Sequence, residues 1–79
     1  MKTTFTENDA TYTTHEVKVL GNTYHVTIVT GRYNYICIQK ITNNPWLTAG
    51  IEFANFDEAV KHYKSAEMKI ALLKIEMNF

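Results

Sequence analysis

The clearest pattern in the chain is an alternation of apolar and polar residues from Thr13 to Ile41, broken at two glycines. Gly21-Asn22 and Gly31-Arg32 each divide runs of β-branched and aromatic residues. Glycine at the first position of a two-residue loop accepts the positive φ of a type II′ hairpin turn. The pattern therefore predicts three antiparallel strands near 13–20, 23–30 and 33–41. Loops of two residues also fix a register: Leu20 opposite Thr23, Val17 opposite Val26, Ile28 opposite Tyr35, and Val26 opposite Cys37. One face then carries Val17, Val19, Tyr24, Val26, Ile28, Tyr33, Tyr35 and Cys37, which is apolar as a core face should be.

The opposite face carries Glu16, Lys18, Thr23, His25, Thr27, Asn34 and Lys40. It also carries Val29, Ile36 and Ile38, so it is not a clean polar surface. In this register Lys18 faces His25 and His25 faces Ile38. The three apolar residues form a cluster edged by Lys18, His25 and Lys40. An apolar patch with a polar rim marks an interface. The competing expectation is that the N-terminal segment folds back over it through Phe5 or Tyr12.

Residues 1–11 are polar and read as a flexible arm, leaving 12–79 as the folded domain. Thr42-Asn43-Asn44-Pro45 is a turn cluster. Thr48 to Phe53 reads as a short fourth strand with Ile51 and Phe53 turned inward. Asn55 is placed as a helix N-cap, with Glu58 three residues on. Phe56, Ala59, Val60 and Tyr63 follow at helical spacing, and Asp57 can pair with Lys61. Ser65 is a second cap, opening a helix near 66–77 with Ala66, Ile70, Leu73 and Met77 on its inner face. A buried strand is the other reading of this last segment; its Ala, Met, Leu, Lys and Glu content favours helix. The expected fold is α+β: a four-stranded antiparallel meander followed by one broken helix or two helices packed on one face.

Composition narrows the function classes. Seventy-nine residues hold one core, and 46% hydrophobic with 20% charged residues argues against disorder. Eight basic and eight acidic residues cancel, whereas a chain that lives by neutralising phosphates carries a basic excess. The middle of the chain is nonetheless mildly basic, because no acid stands between Glu16 and Glu52. The single cysteine, Cys37, excludes an intrachain disulfide. The first residues show no signal-peptide pattern, and no stretch reaches the roughly 20 apolar residues of a membrane span. A cytoplasmic protein that does not engage a membrane is expected.

Candidate chemistry is sparse. His15, His25, His62 and Cys37 have no metal-ligand spacing, and a buried thiol with solvent-facing histidines accounts for them. Asp57 and Glu58 fall in a helix's first turn, where acids favour the positive dipole end. No nucleophile–base pairing or phosphate loop is present in the sequence pattern. No enzyme, metal, cofactor or small-molecule substrate is expected. Arg32, Tyr33, Lys40 and Trp46 have the basic and aromatic character of single-strand binders, which makes a nucleic-acid surface the alternative function.

The stretch Asn43-Asn44-Pro45-Trp46, then Glu52-Phe53-Ala54-Asn55-Phe56-Asp57-Glu58-Ala59 and Tyr63-Lys64, resembles small uncharacterised proteins of plasmids, conjugative elements and phages of gut bacteria. That resemblance spans about residues 17–77 and implies an accessory role in a mobile element, with no catalytic residues to carry over. The order of strands and then helix also resembles some phage-encoded inhibitors of bacterial defence, including certain anti-CRISPR proteins. The resulting expectation is a non-enzymatic interaction protein. It would bind a protein partner, or a second copy of itself, through Lys18, His25, Val29, Ile36, Ile38, Lys40 and Trp46.

Overall fold

The computed structural model describes residues 2–42 and 50–78. Five strands, β1 (Lys2–Glu7), β2 (Ala10–Val19), β3 (Asn22–Gly31), β4 (Tyr35–Ile41) and β5 (Ile51–Phe53), precede two helices, α1 (Phe56–His62) and α2 (Ala66–Asn78). The strands form one antiparallel sheet in the order β1-β2-β3-β4-β5. The α+β meander with two C-terminal helices thus matches the sequence reading, with one strand more than the four expected.

The added strand is β1. Lys2–Glu7, read from the sequence as part of an arm, pairs in unbroken register with Ala10–His15. The turn between them is Asn8-Asp9, with φ of 53° and 65°. Asn and Asp tolerate the left-handed region, as a two-residue type I′ turn requires at both positions. The segment extends the edge of the sheet and does not fold across its outer face.

The two glycine turns differ from expectation in instructive ways. Between β2 and β3 the loop residues are Leu20 and Gly21, with φ of 50° and 79°, and Val19 pairs with Asn22. The turn sits one residue earlier than Gly21-Asn22. Val17 now faces Tyr24 where Val26 was expected, but both remain on the same face. Between β3 and β4 the outcome is larger. The last pair before the turn is Val29 with Tyr35, so Ile28 faces Ile36 and Val26 faces Ile38. Gly31 stays paired with Ala10 of β2, and Asn34 Nδ2 donates to the Gly31 carbonyl at 3.2 Å. The connection is longer than two residues, and β4 slips by one. A one-residue slip exchanges the two faces of a strand. Ile36 and Ile38 therefore turn inward, and Tyr35 and Cys37 turn outward.

The core lies between the inner sheet face and the helices. Val26, Ile28, Ile36, Ile38 and Phe53 meet Ala59, Met68, Leu72 and Ile75. Phe53 is buried as expected, whereas Ile51 at the sheet's edge is exposed. Both helix caps form. Asn55 Oδ1 accepts from the Glu58 N–H at 2.9 Å, and Ser65 Oγ accepts from the Met68 N–H at 3.3 Å. Lys61 Nζ lies 3.0 Å from Asp57 Oδ2. The segment after Ser65 is helix, but its phase differs from expectation. Met68, Leu72 and Ile75 are buried, while Ile70, Leu73 and Met77 are exposed. Both sets recur at helical spacing, so periodicity alone does not choose between them.

Candidate interaction surface

Among the described residues the helices occupy one face of the sheet, and the other face has no element packed on it. Its composition follows from the pairing. One cross-strand row runs Phe5, Tyr12, Val29, Tyr35 through β1, β2, β3 and β4. The next runs Thr3, Thr14, Thr27, Cys37 and Glu52 across all five strands. A third holds Glu16, His25 and Gln39.

The first row is the apolar spine of this face. Phe5 and Tyr12 stack with ring centroids 4.8 Å apart and planes 11° from parallel. Val29 is only 2% exposed although no helix covers it; its strand neighbours Tyr12 and Tyr35 flank it. Phe5 ends the row and is 55% exposed. Aromatic side chains contribute large rigid contact area at low entropic cost, and Tyr keeps a polar tip for water. Burial raises the Tyr35 hydroxyl pKa, with Tyr12 and Glu52 adding in the same direction. The phenol is thus a hydrogen-bonding group at neutral pH, not a charge. Thr14 and Thr27 hydroxyls bond at 3.0 Å in the second row. His25 Nε2 lies 3.8 Å from Glu16 Oε2 in the third.

The sequence-derived site residues separate onto both faces. Lys18, His25 and Val29 are on the outer face as expected. Ile36 and Ile38 are not: they are 4% and 1% exposed in the core, because the longer β3–β4 connection slips the strand. Lys40 pairs with Tyr24 and shares its inner-face register, at the solvent-exposed end of β4. Trp46 lies outside the described residues. The expected apolar cluster therefore keeps Val29 alone and gains Phe5, Tyr12 and Tyr35. The Asn8-Asp9 dipeptide was the available signal for β1, and no local signal places Tyr35 in the row.

For the nucleic-acid alternative, Arg32 and Tyr33 do come together. The guanidinium carbon sits 5.6 Å from the Tyr33 ring centre in the β3–β4 turn. Lys40 is at the far end of β4, so among the described residues it stands apart from the Arg32–Tyr33 pair.

Burial raises the Cys37 thiol pKa, and the Glu52 carboxylate opposite it adds to the effect. It is held as a thiol, the unreactive form. Among the described residues no three His, Cys, Asp or Glu side chains are grouped to hold a metal ion. None of the described helices is long and apolar enough to cross a membrane.

A groove lies between β2 and α2. It encloses about 510 Å³, lined by His15, Val17, Val19, Ile70, Ala71 and Lys74 among others. His15 Nε2 is buried there without a hydrogen-bond partner. Burial, then the charge of Lys2, lowers its pKa and favours the neutral imidazole.

Comparison of the chain with family profiles, with curated proteins and with solved structures finds no match.

Proposed function

We propose that the protein is a non-enzymatic interaction module that binds a protein partner through the outer face of its sheet. The observation that carries this reading is the Phe5–Tyr12–Val29–Tyr35 row, an aromatic strip on a face left open by the helices. A sheet with one covered face and one solvated face ordinarily alternates apolar and polar residues. This one also places Phe5, Tyr12 and Tyr35 on the solvated side. Aromatic anchors ringed by threonines and a few charges have the make-up of an interface centre with a polar rim. A mobile-element accessory factor or an inhibitor of bacterial defence, acting in the cytoplasm by occupying a protein target, is the form we favour.

The test is affinity capture with the tagged chain. Wild-type protein should retain a protein partner that the Tyr35→Lys variant loses, with its circular dichroism spectrum unchanged. Equal recovery by both would remove the outer face from the reading. Recovery of nucleic acid alone, in a salt-sensitive manner and dependent on Arg32 and Tyr33, would favour the alternative.

A further inference from the structure

β1 is an edge strand, and among the described residues no strand pairs with its free side. All six residues are exposed, the pairing with β2 contains no bulge, and the stretch Thr3-Thr4-Phe5-Thr6 has no charge and no proline. Natural edges are usually blunted by such devices because an open row of N–H and C=O groups templates another strand. The opposite edge, β5, has only three residues.

The direction of each free group follows from the register. Glu7 and Ala10 flank the Asn8-Asp9 turn, and such a pair exchanges hydrogen bonds. Bonding alternates from there, so Glu7, Phe5 and Thr3 direct their backbone groups to β2. Thr6, Thr4 and Lys2 direct theirs outward.

We infer that β1 pairs antiparallel with β1 of a second copy, about a two-fold axis at Thr4, to form one continuous sheet. Every outward group is then used: Thr4 faces Thr4 of the second copy, and Lys2 faces its Thr6. Charge disfavours the parallel alternative, since Lys2 and Glu7 stand at opposite ends of the strand. Antiparallel pairing brings the Lys2 end of one strand to the Glu7 end of the other, whereas parallel pairing would set like charges together. The outer faces also agree. Phe5 falls opposite the second copy's Thr3 and diagonal to its Phe5, about 7–8 Å away and within reach of aromatic rings. The two aromatic rows then meet across the axis. The pairing uses the backbone edge and does not depend on the outer face binding a partner.

Light scattering should give a mass rising to twice the 9.1 kDa chain as concentration increases, with the Thr4 and Thr6 amides protected from hydrogen exchange. Thr4→Pro removes an outward N–H, and should leave a folded monomer. Thr4→Lys and Thr4→Glu keep the backbone but set like charges opposite each other only in the dimer. Each alone should associate at least tenfold more weakly, and an equimolar mixture should recover the dimer. A monomer at every concentration would overturn the proposal. So would a dimer insensitive to both charge variants, or a mixture that fails to recover.

Discussion

The two faces of the sheet are built from the same strands and serve opposite ends. On the inner face Val26, Ile28, Ile36 and Ile38 lie under Met68, Leu72 and Ile75, and their side chains hold the domain together. On the outer face Phe5, Tyr12, Val29 and Tyr35 form an aromatic and apolar row, and no described element packs on it. The difference teaches that apolar content does not by itself mark a core. What marks it is which face receives the helices. In a domain this small the core has little stability to spare, so a large ring left in solvent calls for an explanation other than packing.

Adjacent residues of α2 give a direct contrast between covered and uncovered positions. Leu72 is fully buried against the inner face, while Leu73 is exposed. Leu72→Ala should cost about 2–5 kcal/mol in urea unfolding, and Leu73→Ala about 0.5 kcal/mol or less. Comparable losses would break the assignment of the helix face.

Gly31 sharpens the picture at the rim of the outer face. Its φ is +93°, and an added Cβ would stand 2.6 Å from the Asp9 carbonyl oxygen, a backbone atom that cannot swing aside. Gly31→Ala should cost about 1–3 kcal/mol. Gly21→Ala should cost less, since nothing lies within 4 Å of its added Cβ.

The smallest expected effect is on pH dependence, at the edge of the inner face. The folded protein holds His15 below its usual pKa of 6.5, by burial first and the charge of Lys2 second. The unfolded chain then binds a proton more readily than the folded one. Stability from this group is present above pH 6.5 and is lost as pH falls through the lower, folded-state value. His15→Gln should flatten that part of the melting-temperature profile. A slope unchanged by the substitution would assign the effect to other groups.

Much of the fold is legible in the sequence, and the failures have physical causes. Asn55 and Ser65 announce their helices because a capping side chain is a local device. Val17, Val19, Tyr24, Val26 and Ile28 are assigned to the correct face although the β2–β3 turn is displaced, because that displacement preserves parity. Ile36 and Ile38 are misplaced because a turn one residue longer reverses parity, and Gly31 gives no local sign that it remains in the β2 ladder. β1 is hidden by its threonines, which read as polar chain although they favour strands. The outer aromatic row is illegible for the same reasons: it exists only once β1 is added and β4 is slipped.

The most direct test of this account compares neighbours on β4, whose roles exchange with the register. Equilibrium unfolding of Ile36→Ser and Tyr35→Ser should give a loss of about 2–5 kcal/mol or more for the first and about 1 kcal/mol or less for the second. The reverse order would mean that β4 follows a two-residue Gly31-Arg32 turn, with Tyr35 in the core and Ile36 on the open face.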